Sequence, residues 1–140
     1  MNIKAGFFIG GLIGVALTSG LILSPIVWGE EPLRQYYANG NLKSEKSFRD
    51  GKLEGAFRVY YDSGQLRKEG AFKSGKREGP FKTYNENGQL VLEEAYRDGK
   101  QEGVFKTYYG DGQLRSHSFY KDGKQEGMFK VYGKDGKLKL

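Results

Sequence analysis

The fold is decided by the stretch at residues 98–108, which reads Asp-Gly-Lys-Gln-Glu-Gly-Val-Phe-Lys-Thr-Tyr and returns in related form every 24 residues. Several columns of the chain keep this step over four units. They include Tyr36, Tyr60, Tyr84, Tyr108 and Tyr132; Gly40, Gly64, Gly88, Gly112 and Gly136; Leu42, Leu66, Leu90, Leu114 and Leu138; and Phe57, Phe81, Phe105 and Phe129. A fixed short period is typical of repeat proteins, in which each unit stacks on its neighbours.

Each unit contains two turn signals with a glycine. One is of the type Asn39-Gly40 and the other of the type Asp50-Gly51, and in both the glycine supplies the positive φ that a tight turn needs. The segments between the turns hold about seven residues rich in aromatic and β-branched side chains, which favours strands. The sequence therefore predicts an all-β fold: an open, single-layer antiparallel β-meander of 24-residue hairpins.

Alternation along these strands divides the side chains between two faces of the sheet. If Phe48 faces Phe57 across the turn at Asp50, Leu42 and Val59 lie on the same face as these rings. The opposite face then pairs Arg58 with Glu69, Lys82 with Glu93, and Lys106 with His117. We expect mainly cross-strand ion pairs there. The alternative is a ladder of anion contacts formed by Arg58, Lys82, Lys106 and Lys130.

The segment from Ala5 to Trp28 contains no charged residue. About 24 residues of helix measure about 36 Å, which is enough to cross a bilayer core of about 30 Å. We expect a single-pass membrane anchor, and the alternative is a signal peptide whose cleavage releases a secreted body. Lys4 before the span and Glu30 after it favour a repeat domain outside the cytoplasm, periplasmic or extracellular.

The same segment carries a stripe of small residues. Gly6, Gly10 and Gly14 recur at every fourth position, so they share one helix face and predict a helix dimer face. The domain organisation that follows is an anchor or signal segment at 1–28, a linker at 29–35 and a repeat domain at 36–140, with units 36–59, 60–83, 84–107 and 108–131 and a partial unit 132–140. Pairing at the open edge near Leu138 is a second route to a homodimer.

The sequence indicates no catalytic residue, metal site or cofactor. It has no cysteine, which removes thiolate chemistry and Cys-based metal sites. Its only histidine, His117, stands in the repeat column of Glu45, Glu69 and Glu93, so we interpret it as a substitution in the repeat and not as a catalytic base. The hairpin carboxylates Glu54, Glu78, Glu102 and Glu126 recur in every unit, as structural turn positions do.

The formal net charge of +6 comes from 23 basic and 17 acidic side chains, and the two signs are interspersed. Such a mixture is typical of a solvated surface. A basic, aromatic sheet could stack single-stranded nucleic acid, but we do not expect a nucleic-acid partner for a chain with a membrane anchor.

Two stretches carry a family resemblance. Residues 60–66 read Tyr-Tyr-Asp-Ser-Gly-Gln-Leu, and together with residues 98–108 they resemble the MORN repeat, and more closely its bacterial variant. The resemblance covers Tyr36 to Leu140 and departs from the pattern at Ser74 and Pro80. It implies a twisted antiparallel sheet that serves in protein interaction or membrane association, and bacterial variant-repeat proteins are often labelled antitoxin-like.

We therefore expect a non-enzymatic module for protein–protein interaction at the cell envelope. The alternatives are an antitoxin-like protein that neutralises a cognate toxin and a module that binds anionic lipid. A single-layer sheet cannot bury both of its faces, so the face with the phenylalanine column, here called the aromatic face, is the predicted site for a protein partner of unknown identity. The residues assigned to this contact are Phe57, Phe81, Phe105 and Phe129, with Tyr61 and Tyr109 beside them.

Overall fold

A computed structural model describes residues 31–139, which form one antiparallel sheet of ten strands. The strands are β1 (Leu33–Tyr36), β2 (Leu42–Arg49), β3 (Lys52–Tyr60), β4 (Leu66–Lys73), β5 (Lys76–Tyr84), β6 (Leu90–Arg97), β7 (Lys100–Gln101), β8 (Gly103–Tyr108), β9 (Leu114–Lys121) and β10 (Lys124–Val131). They lie side by side in chain order, with the short β7 paired to β6 ahead of β8. The predicted open, all-β meander is confirmed.

The predicted membrane anchor and its glycine face, Gly6, Gly10 and Gly14, lie outside the described residues. Within residues 31–139 there is no helix long and apolar enough to cross a membrane.

The hairpin turns have the geometry that the glycine pattern predicts. Asp50 and Gly51 have φ values of 50° and 73°, so both central residues are left-handed, as a type I′ turn requires. Ser74, which replaces the turn aspartate in one unit, adopts the same φ of 50°. The other turn type closes with a hydrogen bond of 3.0 Å from the Gly40 N–H to the Tyr37 carbonyl.

A bulge in the long strands shifts the register that the sequence predicted. Phe48 lies opposite Leu53, and Phe57 lies opposite Lys46, so the predicted direct pairing of Phe48 with Phe57 is wrong. The cause is the extra chain around Gly55, whose φ of 84° sets a bulge between these pairs. The predicted register on the other face is confirmed: Arg58, Lys82 and Lys106 lie opposite Glu69, Glu93 and His117. Within residues 31–139, Arg58 forms its ion pair with Glu45 on the other neighbouring strand.

The core of the sheet is thin and lies on the aromatic face. Phe81, with 1% of its surface exposed, is the one hydrophobic residue classed as buried among residues 31–139. Its ring makes edge contacts with Phe72 and Tyr96 at centroid distances of 5.6 and 5.3 Å, and Phe57 contacts Phe72 at 5.4 Å. A sheet with no second layer can bury little more than this.

Candidate interaction surfaces

The predicted aromatic contacts divide into a packed half and an open half. Phe57 and Phe81 belong to the core cluster, which the Arg77 guanidinium covers at 5.3 Å from the Phe81 centroid. Phe105 is half-buried against Tyr120, with centroids 6.0 Å apart, whereas Phe129 is 39% exposed. Phe129 is therefore the most exposed member of this column, and the role of the column in binding stays a prediction.

The two tyrosines assigned beside the column tie neighbouring units together. The Tyr61 hydroxyl donates to the Tyr84 carbonyl at 2.8 Å, and the Tyr109 hydroxyl donates to the Tyr132 carbonyl at the same distance. Arg67 lies over the ring of Tyr61, with 5.6 Å from its guanidinium carbon to the ring centroid. These contacts give both tyrosines a structural role, whatever part they take in binding.

The third unit lacks this tie. Asn85 replaces the tyrosine and Val91 replaces the basic residue that covers it in other units. The Asn85 side-chain oxygen instead accepts hydrogen bonds from the backbone N–H groups of Asn87 and Gln89, at 3.0 and 2.9 Å. The two members of the tyrosine–cation pair have thus been replaced together.

The hairpin glutamates have the structural role expected of a repeated turn position. The carboxylate of Glu78 accepts the backbone N–H of Asp98 in the next hairpin at 2.9 Å, and Glu102 accepts that of Asp122 at 2.9 Å. Glu54 accepts the Ser74 N–H at 2.6 Å in the same way. These three carboxylates therefore join successive hairpin turns.

The face opposite the aromatic one carries a row of charges that crosses the whole sheet, here called the charge row. Its members lie on neighbouring strands as direct cross-strand partners: Arg34, Glu45, Arg58, Glu69, Lys82, Glu93, Lys106, His117 and Lys130. From Arg34 to Lys106 the signs alternate without interruption. Glu45, for example, contacts Arg34 at 2.8 Å and Arg58 at 3.4 Å. The alternation favours the ion-pairing role over an anion ladder along this part of the row.

Repeat tyrosines cover the carboxylates of the charge row. The Tyr84 hydroxyl donates to Glu69 at 2.7 Å, and the Tyr108 hydroxyl donates to Glu93 at 3.3 Å. Burial, reinforced by the hydrogen bond to Glu69, raises the pKa of Tyr84 from 10.0 to about 12. Burial, with the nearby charge of Glu93, also raises the pKa of Tyr108. Both phenols therefore stay protonated as donors well above neutral pH.

The alternation breaks at His117. This residue lies between Lys106 and Lys130, at the position where the preceding units have a glutamate. Tyr132 stacks on the imidazole with centroids 5.6 Å apart and an interplanar angle of 22°, and its hydroxyl lies 3.3 Å from Nδ1. At this one place in the row, two lysines face each other with no carboxylate between them.

A second departure from the repeat lies beside the first. Val104 and Phe119 are direct cross-strand partners on β8 and β9. Each lies two residues along its strand from a member of the charge row, and so does Met128 on β10. Their exposed fractions are 41%, 46% and 77%. We call these three residues the apolar row. The equivalent positions in the preceding units are small or ring-closed: Ala56, Ala71, Pro80 and Ala95.

Sequence reasoning missed the apolar row, although the signal was present. Phe119 stands in the column of Ala71 and Ala95, and Met128 stands in the column of Ala56 and Pro80. A comparison of columns would have shown large apolar side chains where the other units carry small ones. The phenylalanine column is the more conspicuous pattern because the same residue type recurs in all four units.

The described surface has two open depressions with equivalent linings. One is lined by Gln65, Leu66, Tyr84, Asn87 and Gly88, and another has the equivalent lining two units later, with Gln113, Leu114, Tyr132 and Gly136. Within residues 31–139, no group of three or more His, Cys, Asp or Glu residues is arranged to hold a metal ion. The repeated depressions are a property of the array and not a singular site.

Comparison with known families gives one clear result. The family described as MORN repeat variant matches residues 32–50, 53–74, 77–98 and 101–122, which together make up more than half of the 140 residues. Each matched segment contains one hairpin turn or ends at one. A search of curated proteins for relatives found no match.

Proposed function

Because this chain belongs to the MORN repeat variant family, we propose that it is a non-catalytic, membrane-anchored module that binds a partner protein at the cell envelope. Repeats of this family generally serve as protein- or membrane-interaction modules, and the family is non-enzymatic. The membrane attachment is assigned to the uncharged segment from Ala5 to Trp28.

One observation carries the choice of a protein partner: the large apolar side chains that remain exposed are concentrated at the C-terminal end of the sheet. Seven such residues are exposed in the described part, and five of them follow residue 103, namely Val104, Phe119, Met128, Phe129 and Leu138. Clustered exposed apolar side chains on a rigid scaffold mark interaction sites. The other two, Leu33 and Tyr36, lie in β1 at the opposite end of the sheet, and the units between the two ends bury or lack these groups.

The charge row argues against a lipid surface as the main partner. Anionic membranes attract clusters of basic residues, but from Arg34 to Lys106 each basic member of the row has a carboxylate as its neighbour. That part of the face therefore presents little net charge. We assign the interaction to protein, and treat anionic lipid as the competing outcome.

Site-specific photo-crosslinking in native membranes tests this assignment. A photoreactive amino acid replaces Phe129 on the aromatic face or Met128 on the opposite face, and the matched control replaces Gln65 in an exposed turn of an earlier unit. We expect a discrete protein adduct, identified by mass spectrometry, from Phe129 or Met128 and none from Gln65. Adducts with lipid alone, or equal protein adducts from all three positions, would contradict the proposal.

The anchor has its own test. The full chain should stay in the membrane during alkaline carbonate extraction, and a variant without residues 5–28 should be released. N-terminal sequencing of the mature protein then separates the anchor from a cleaved signal peptide, since cleavage would remove Met1 and the residues that follow. A soluble, shortened mature chain would overturn the anchored form of the proposal.

An antitoxin-like role is a narrower version of the same proposal, in which the partner is a toxin. It requires that co-expression of this chain relieves the toxicity of a neighbouring gene product. The variants that abolish the crosslinks should also abolish the relief. If the toxicity is unchanged by co-expression, the partner belongs to another class.

A further inference from the structure

We propose that the last complete unit binds an extended acidic segment of the partner protein, with a carboxylate held between Lys106 and Lys130 and an apolar side chain held on Phe119. The binding surface, here called the C-terminal patch, is the part of the charge row and the apolar row formed by Val104, Lys106, His117, Phe119, Met128 and Lys130. This inference rests on the proposed function and specifies the partner's chemistry.

The two departures from the repeat fall on the same strands and the same face. On β8, Val104 and Lys106 are two residues apart; on β9, His117 and Phe119 are two residues apart. Residues two apart on a strand share a face. Lys106 pairs with His117 and Val104 pairs with Phe119, so the breaks form two adjacent rows of one patch. In the rest of the described sheet, neither the loss of the carboxylate from the charge row nor large apolar side chains in the columns of the apolar row are found.

The charges of the C-terminal patch predict that the contacting group of the partner is negatively charged. In the preceding unit, Lys82 and Lys106 have Glu93 between them, and this carboxylate balances part of their charge. In the C-terminal patch the intervening residue is His117, so Lys130 has no carboxylate as a partner in the row, and Lys106 has one, Glu93, on its other side only. With about 4.8 Å between strands, the two lysines stand about 10 Å apart across β9. A carboxylate from a partner would restore the alternation that the other units build internally, and complementary charge of this kind gives specificity.

The apolar row explains why a solvated anion alone is not the ligand. Phe119 is 46% exposed and Met128 is 77% exposed, and each lies two residues from a member of the charge row. The carboxylate nearest to them in the register is Glu126, the cross-strand partner of Phe119, so the anionic subsite is confined to the Lys106–Lys130 end of the patch. Exposed aromatic and methionine side chains in a defined patch are good anchors for an apolar group. The patch therefore combines one anionic and one apolar subsite.

The spacing of the subsites fits an extended chain. His117 and Phe119 are separated by one residue on β9, which is about 6.6 Å at a rise of about 3.3 Å per residue. A partner strand lying along β9 presents side chains to it with the same period. The expected motif is thus an aspartate or glutamate separated by one residue from an aromatic or large aliphatic residue.

Tyr132 positions the imidazole within the patch. Its ring stacks on His117 and its hydroxyl lies 3.3 Å from Nδ1, as Tyr84 and Tyr108 reach the glutamates of their own units. The side chain of His117 is therefore held in the place of a repeat carboxylate, so that it fills the row without adding negative charge.

Selection from displayed random peptides, with the full chain in detergent micelles as bait, tests the motif without assuming a partner. We expect enrichment of acidic-x-apolar sequences. A synthetic peptide with a Glu-x-Phe centre is then titrated by fluorescence anisotropy, up to about 1 mM, beside its Gln-x-Phe and Glu-x-Ser analogues. Both analogues should bind several-fold more weakly than the parent peptide.

The repeat itself suggests substitutions that the sheet already accommodates in other units. His117→Glu and Phe119→Ala install residues that other units carry in the same columns, and each should weaken the parent peptide at least about tenfold. Lys130→Gln should weaken it several-fold. The matched control is Lys82→Gln, which removes a lysine of the same row that has Glu69 and Glu93 as neighbours. This control should leave the affinity unchanged.

Three results would overturn the inference. The first is no enrichment of acidic-x-apolar peptides, or binding that His117→Glu and Phe119→Ala leave intact. The second is that no peptide binds, while short-chain phosphatidylglycerol added to the micelles binds and His117→Glu abolishes this binding. That result would assign the patch to lipid. The third is that no peptide binds, while sedimentation shows that the chain self-associates and that His117→Glu abolishes the association. That result would assign the patch to a second copy of the chain. Protein crosslinks that persist in any of these cases would leave the proposed function standing.

Discussion

The ring of Phe81 lies over Gly70, so close that a Cβ on this glycine would stand 2.5 Å from the ring carbons. Phe57 pairs with Gly70 on one side, and the rings of Phe57 and Phe81 approach to a centroid distance of 6.4 Å. The absence of a side chain at residue 70 therefore lets two repeat phenylalanines close over the strand between them. This contact makes the centre of the array its best-packed part.

Gly70→Ala should lower the free energy of unfolding by about 1–3 kcal/mol, because the new methyl group must displace the Phe81 ring from a packed position. Urea unfolding of the full chain in micelles, followed by near-ultraviolet circular dichroism, measures the change. The control is Gly110→Ala, where a Cβ would meet no atom within 4 Å and the backbone is not left-handed. Equal stability of the two variants would show that the Phe81 ring moves aside freely.

Tyr61→Phe should destabilise the chain by about 0.5–1.5 kcal/mol, since it removes the hydrogen bond to the Tyr84 carbonyl. The loss should be local, with faster hydrogen exchange at the turn after β3 and at the end of β5. Tyr36→Phe is the control, because Tyr36 is 59% exposed. Unchanged exchange at both segments would mean that this tie contributes nothing to the stacking of units.

Ser118→Ala should leave the stability unchanged or raise it by up to about 1 kcal/mol, because the buried Ser118 hydroxyl has no hydrogen-bond partner within the described residues. Ser116→Ala is a matched comparison: this serine is also buried, but its hydroxyl lies 2.6 Å from that of Thr107. Ser116→Ala should therefore lower the free energy of unfolding by about 1 kcal/mol. If thermal unfolding gives the same cost for both, Ser118 makes a contact in solution.

Alkaline pH should weaken the fold through Tyr84. The folded chain binds the phenolic proton more tightly than the unfolded chain does, because burial and Glu69 raise the pKa of Tyr84 from 10.0 to about 12. Its contribution is fully present below pH 10 and is lost as the pH rises to about 12. Tyr84→Phe should therefore flatten the fall in stability over this range. The difference between the tyrosinate absorbance titrations of the two proteins gives the midpoint of Tyr84, and a midpoint near pH 10.0 would contradict the assignment.

The sequence predicted the register of the charge row correctly, but it did not predict how the rings of the aromatic face are packed. The pairing of Arg58 with Glu69 and of Lys82 with Glu93 followed from counting residues around the turns, and the sheet confirms it. The direct pairing of Phe48 with Phe57 failed, because the bulge at Gly55 adds chain that a simple alternation does not contain. Phe81 was expected to face a partner, but the open position at Gly70 draws its ring into the core.

The sequence by itself determined the repeat, its turns and the open antiparallel sheet, because a 24-residue period with glycine at fixed turn positions leaves little choice of local geometry. Only the tertiary structure decided which large side chains are packed and which are exposed. Phe81 and Phe129 occupy the same column, yet one is buried and the other is 39% exposed. The physical reason is that burial in a single-layer sheet depends on the neighbours across two strands, and those neighbours differ from unit to unit although the backbone repeats.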